Sequence, residues 1–349
     1  DGPAEGLAGD AVRHLDPILN GAVAVRDGKI VEVGNTTELE SRYHPKRIFQ
    51  ADGCLISPGL VDPHSHLLYA GSRHDEWEAK VTGRGIAADL QGGIHRSVAW
   101  TRAAKDDVLI TQARRDLDEM LIRGTTMLEA KTGYGLDHDT ELRLLRLTNS
   151  IDHFVTVVPT YLGAHVPPKE YLQDTDAYVE MVIDLLPQAA KFAEYCDVCC
   201  DPIGFSSDQC RRIGKCAIEL GLGIRVHADQ TGNANGGLLA AELGAASADH
   251  VDYTPDEDLT AMAAAGTAAI LFPSVTYHLL EMIPLPKYGE LEAPPKPFMP
   301  QLAERTINSG CVVALSTDYN PGSSPNLSMQ TVMQLAARLF RLGYAEIWN

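Results

Sequence analysis

Two histidines one residue apart, His64 and His66, close the run Cys54-Leu55-Ile56-Ser57-Pro58-Gly59-Leu60-Val61-Asp62-Pro63. Side chains two apart on a strand point the same way, so a pair at a strand end can aim two neutral imidazole nitrogens at one divalent ion. The spacing alone decides little, because 12 histidines scattered over 349 residues produce such pairs by chance. Other groups of metal-ligand type strengthen it. His227 closes Leu222-Gly223-Ile224-Arg225-Val226, Asp318 closes Val312-Val313-Ala314-Leu315-Ser316-Thr317, and His250 follows Ala245-Ala246-Ser247-Ala248-Asp249. An ion on His64, His66, His227 and Asp318 has three neutral ligands and one carboxylate, leaving the positive charge that lowers the pKa of a bound water to roughly 7. Asp318 can both touch the ion and accept the proton of the attacking water, and His250 suits an oxyanion contact or a proton relay. Competing structural explanations exist for each: a lone strand histidine is usually a packed residue, and Thr317-Asp318-Tyr319-Asn320-Pro321-Gly322 also reads as a turn.

Candidate ligands at the ends of several apolar runs require a scaffold that brings strand ends together, which is what the C-terminal face of a (β/α)8 barrel does. From Leu55 onward, short apolar runs alternate with helical stretches, the signature of parallel strands with crossover helices. Strands are predicted near 55–61, 124–129, 155–160, 197–200, 222–227, 246–250, 268–272 and 311–317. Helices are predicted over 106–122, 139–150, 176–193, 207–220, 236–243, 256–265, 299–309 and 328–342. Leu109, Ala113, Leu117, Met120 and Leu121 give the first of these an apolar stripe, and Ser207 and Gly221 bound the fourth. Ahead of the barrel, Gly21–Val25 and Lys29–Val33 flank Arg26-Asp27-Gly28, a hairpin signal. The chain thus divides into a small β domain, 1–57, and an α/β domain, 58–349, of (β/α)8 TIM-like barrel form. The Pro-rich segment Pro284 to Pro300 is expected to form a loop on the catalytic rim.

Composition excludes several classes. The formal net charge of -18, with 29 Lys and Arg against 47 Asp and Glu, argues against general affinity for nucleic acid or an anionic membrane. A small anionic substrate held by one local Arg remains compatible. No apolar stretch approaches the roughly 18 residues of a membrane span, and the acidic start has no signal-peptide form; a cytoplasmic location is expected. Seven Cys fit reduced thiols better than a disulfide framework, and Cys196-Asp197-Val198-Cys199 lacks the second pair that a zinc site of that type needs. A homodimer is expected only from the frequency of two-fold assemblies.

Ser57-Pro58-Gly59-Leu60-Val61-Asp62-Pro63-His64-Ser65-His66 resembles the first metal-binding strand of the amidohydrolase superfamily. From about residue 20 onward the chain is similar to the imidazolonepropionase family. The segments that carry this are Leu128-Glu129-Ala130-Lys131-Thr132-Gly133-Tyr134-Gly135-Leu136 with Thr140-Glu141-Leu142, Thr160-Tyr161-Leu162-Gly163-Ala164-His165, His227-Ala228-Asp229-Gln230, and Ser316 to Pro325. The resemblance implies one zinc or iron ion on His64, His66, His227 and Asp318, with His250 as the unligated catalytic histidine. It further implies substrate contacts from Arg73, Tyr134, His165 and Gln230, and product contacts from Asn320, Gly322 and Ser323. Arg73 makes physical sense there, because its planar fork can hold a propanoate carboxylate at two points. The implied reaction is hydrolytic opening of 4-imidazolone-5-propanoate to N-formimidoyl-L-glutamate. A cyclic amidine or nucleobase deaminase of the same superfamily is the nearest alternative, disfavoured because Gln230 cannot shuttle a proton where a Glu is expected. A non-catalytic barrel should have lost ligands, and none is lost. Two departures stand out: Gln91-Gly92-Gly93-Ile94 replaces a triple glycine, and the chain ends at Trp348-Asn349 without the strands that complete the small β-sandwich.

Overall fold

The computed structural model describes residues 6–82, 92–279 and 298–349. In the N-terminal unit, β1 (Gly21–Arg26) pairs antiparallel with β2 (Lys29–Asn35), placing Arg26 opposite Lys29. Asp27 and Gly28 between them have φ of 52° and 74°, as a two-residue hairpin turn with the twist of its strands requires. Asn35 then accepts from the Thr37 amide at 3.0 Å and caps a helix, Thr36–Arg42. Among the described residues the expected small β-sandwich is represented by this two-stranded sheet and its helix.

The remaining strands are β3 (Leu60–Ser65), β4 (Thr125–Lys131), β5 (Thr156–Ala164), β6 (Tyr195–Cys200), β7 (Gly223–Ala228), β8 (Ser247–His250), β9 (Ala268–Leu271) and β10 (Val313–Leu315). All pair in parallel, in the order β10-β9-β8-β7-β6-β5-β4-β3. Closure between the first and last barrel strands is made by side chains as well as backbone. The His66 amide donates to the Tyr319 carbonyl at 2.8 Å, and the fully buried Asp62 accepts from Ser316 Oγ at 2.5 Å and the Thr317 amide at 3.0 Å. The helix Asp106–Ile122 buries Leu109, Ala113, Leu117 and Met120 against the barrel, as its stripe predicts, while Leu121 is only half-buried. The cysteines are free, and those on β6 are buried, so the Cys-x-x-Cys spacing there is a packing feature. Among the described residues no helix is long and apolar enough to cross a membrane.

Several boundaries differ from expectation. The first barrel strand runs over 60–65 rather than 55–61, since Pro58 has no amide to give a ladder and residues 55–58 lie exposed. β5 extends to Ala164, four residues further than predicted, and so delivers His165 to the barrel mouth. The helix expected over 328–342 is α-helical only for Met329–Leu335, continues as a π-helical turn over Ala336–Phe340, and stops at Arg341 with φ of 57°. Helices at His74–Thr82, Ile94–Ala103 and Pro273–His278 were not expected, because their apolar residues are too few or too short a run to show a period. Residues 284–297 of the Pro-rich segment and Gln91 lie outside the described residues, and 298–300 begin the helix Phe298–Asn308.

Candidate metal centre and substrate cleft

Three imidazoles converge where β3 and β7 end. One ring nitrogen each from His64, His66 and His227 lie within 4.8 Å of one another, and so do single ligand atoms of His64, His250 and Asp318. His64 Nε2 and His66 Nε2 stand 3.5 and 3.6 Å from Asp318 Oδ1. All are buried, yet His64 Nε2 and Asp318 Oδ1 have no hydrogen-bond partner. Unpartnered buried lone pairs facing one point are costly unless something fills it. A divalent ion fits that donor set of imidazole and carboxylate.

The other nitrogen of each ring is occupied. His64 Nδ1 donates to Asp249 Oδ2 at 2.6 Å, His227 Nδ1 to Asp197 Oδ1 at 3.1 Å, and His66 Nδ1 to the Thr132 carbonyl at 3.3 Å. These acceptors carry no hydrogen, so they fix the proton on Nδ1 and leave the Nε2 lone pairs toward the centre, the usual outer arrangement of metal-binding histidines. Burial, followed by the nearby Lys131 and His227 charges, keeps His64 well below the ordinary histidine range. Burial and then His165 and His227 do the same for His66, so both rings are neutral ligands. Burial would also discharge His227, but Asp197 outweighs it and raises the ring above its ordinary value. Burial, helped by the Asp62 charge and opposed by His227, Asn320 and Lys131, pushes Asp318 up to about 7.

Beneath this layer the barrel holds an ion cluster. The Lys131 ammonium lies 2.6 Å from Asp197, 2.9 Å from Glu129 and 3.4 Å from Asp249. His64, Asp197 and Asp249 also form a geometrically possible cation site, but the lysine ammonium already serves as its cation. Lys131 thereby ties together the carboxylates that orient His64 and His227.

Above the imidazoles opens a cleft of about 270 Å³ lined by Arg73, Tyr134, His165, Gln230, His250, Asn320, Gly322 and Ser323 together with His66, His227 and Asp318. The expected substrate residues therefore share one cavity with the candidate ligands. His165 stacks on His66 with centroids 4.9 Å apart and planes 8° from parallel. Its Nδ1 donates to the Gly133 carbonyl at 3.0 Å, and burial lowers its pKa to about 3, leaving Nε2 as a neutral acceptor. His250 Nδ1 is buried without a partner. Asn320 spends its side chain on its own loop, accepting from the Gly322 and Ser323 amides at 2.8 Å each and donating to the Asp318 carbonyl at 2.6 Å. That segment thus forms a turn and also lines the cleft.

The hairpin and helix at residues 21–44 match the family model described as the imidazolonepropionase-like composite domain of bacteria. An imidazolonepropionase of Caldanaerobacter subterraneus is 39% identical over 348 residues, covering 98% of this chain and 79% of that relative. One of Solibacter usitatus is 40% identical over 354 residues, covering 99% and 81%. The chain belongs to the imidazolonepropionase family. Solved structures share the fold at lower identity: an Aspergillus niger ochratoxinase at TM-score 0.62 and 17% identity covers 94% of this chain and 77% of its own. A Clostridium acetobutylicum guanine deaminase at TM-score 0.61 and 14% identity covers 96% and 78%.

The family motifs have identifiable structural duties here. Glu141, fully buried, accepts from the Gly133, Gly135 and Leu136 amides at 3.1, 2.7 and 2.8 Å and so shapes the loop that presents Tyr134. Asp229 gathers the Ala234, Gly236 and Gly237 amides and the Thr254 hydroxyl, fixing the loop that begins with Gln230. His250, Val251 and Asp318 hold φ of 80°, 54° and 48°, conformations costly for residues other than glycine and common where a site is held open by its surroundings. Lys131, Asp197, Asp249 and Asp229 were not singled out from sequence. Their signal was present: each is a charged residue inside or directly after a mostly buried strand, where charge is expensive unless paired.

Proposed function

We infer that the chain is a metal-dependent hydrolase that opens the ring of 4-imidazolone-5-propanoate to N-formimidoyl-L-glutamate. The observation that carries this is one cleft with unpartnered imidazole and carboxylate lone pairs at its floor and Arg73 in its wall, in a chain whose relatives bear that enzyme's name. His64, His66, His227 and Asp318 would hold a divalent ion, zinc or iron, which when bound would supply an acidified water and Lewis-acid polarisation of a carbonyl.

The chain's own groups do the rest. Arg73 pairs with the propanoate carboxylate, and Tyr134, His165 and the Gln230 amide orient the ring. Asp318 takes a proton from the attacking water and delivers it to the ring nitrogen as the carbon-nitrogen bond breaks. His250, kept neutral by burial, contacts the oxygen that gains charge. Gln230 has no acid function, which sets this site apart from deamination chemistry. The test joins elemental analysis of the purified protein to a ring-opening assay, with guanine and cytosine as control substrates. His66→Ala is expected to lose both metal and turnover; turnover persisting without metal would refute the reading.

A further inference from the structure

Arg73 does not face the cleft unaided. Its Nε and Nη2 both donate to Glu76 Oε2, at 2.9 and 2.7 Å. Glu76 is only 4% exposed, and its second oxygen accepts from Arg96 Nη1 at 2.9 Å. One buried carboxylate on the helix His74–Thr82 therefore links two guanidinium groups, the second carried by the helix Ile94–Ala103. The donor edge of Arg73 that Glu76 leaves over bears Nη1. That nitrogen lies against Gly322, where an added Cβ would stand 2.2 Å from it. Arg73 and Gly322 both line the cleft.

A carboxylate beside an arginine can neutralise it or aim it. Here the pairing is side-on, through Nε and Nη2, so the edge bearing Nη1 remains available as a fork for an incoming carboxylate. A guanidinium already fixed at the right angle loses less conformational freedom on binding than a mobile one. We propose that Glu76 is a positioning residue that holds Arg73 with its Nη1 edge toward the substrate's carboxylate, and that the missing side chain of Gly322 provides the space. This rests on the cleft being the imidazolonepropanoate site.

The two roles predict opposite signs. If Glu76 only cancels charge, Glu76→Gln makes the cleft more positive and tightens anion binding; if it aims Arg73, the same change loosens it. The metal-loaded protein is titrated calorimetrically with 3-(imidazol-4-yl)propanoate and with 4-ethylimidazole, which share a ring and differ in the carboxylate. Glu76→Gln is expected to reduce the preference for the carboxylated probe about tenfold, the worth of one charge-assisted hydrogen bond, while leaving 4-ethylimidazole unchanged. Gly322→Ala, which displaces the end of Arg73 without touching Glu76, is expected to show the same selective loss, and the double variant no more than the larger single effect. A preference that is absent in wild type, or retained or increased in Glu76→Gln, including the case in which both probes weaken equally, overturns the proposal. Should Glu76→Gln not fold, a preference retained in Gly322→Ala overturns it alone. Ring opening by the wild type, measured in parallel, bears on the function, whereas probe preference bears on Glu76.

Discussion

Asp249→Asn is expected to loosen the metal while leaving the barrel folded. The substitution keeps the shape of the side chain and removes the charge that His64 Nδ1 meets at 2.6 Å, with both side chains 0% exposed. Ser247 Oγ donates to the other carboxylate oxygen at 2.6 Å, so the Asn oxygen stays with the serine and the amide NH2 turns to His64. Two donors then face each other. The ring escapes only by moving its proton to Nε2, the atom that should bind the ion, or by giving up the hydrogen bond. A buried hydrogen bond to a charged group is worth about 1.5–3 kcal/mol, and about 1.4 kcal/mol is tenfold in an equilibrium constant. Metal affinity therefore falls about 10- to 100-fold, the usual cost of losing an outer partner of a ligating histidine. Lys131 keeps Asp197 at 2.6 Å and Glu129 at 2.9 Å, so its ammonium is not stranded, and the melting temperature of the metal-free protein should shift by only a few degrees, roughly 1 kcal/mol. Competition against a chromophoric chelator gives the affinity, and turnover at saturating metal shows whether the chemistry survives. A folded variant with unchanged metal affinity would refute the reasoning.

Glu141→Gln puts an amide NH2 among the three backbone N–H groups that its carboxylate now serves, so it should cost about 1–3 kcal/mol in urea unfolding and raise KM by disturbing the Tyr134 loop. Lost stability with unchanged KM would show that the loop does not depend on it. A pH effect is expected at Asp252, whose carboxyl is pushed up to about 8 by burial and then by Asp201. An unfolded aspartate titrates near 3.9, so folding takes up a proton between these values, and stability present at pH 4 is lost as pH rises toward 8. Asp252→Asn has no such titration. Its melting temperature should gain on wild type from pH 4 to 8 and run parallel above, whereas curves parallel throughout would rule out the linkage.

The sequence by itself determined the alternation of strand and helix, the hairpin at Asp27-Gly28 and the residues that meet in the candidate metal centre. Each of these leaves a local trace: a period, a turn pair, or a polar group closing an apolar run. The Ser57 to His66 segment and the Gly-Tyr-Gly loop also carried enough residue identity to indicate the chemistry. Tertiary structure alone decided which nitrogen of each histidine is free. That depends on Asp249, Asp197 and Thr132, which lie 185, 30 and 66 residues from the rings they fix. It also decided that Lys131 joins the first two of these partners, and that Glu76 rather than solvent holds Arg73. Linear spacing cannot report such pairings, because parallel strands meet through long crossovers and a charge buried in one strand is stabilised by another.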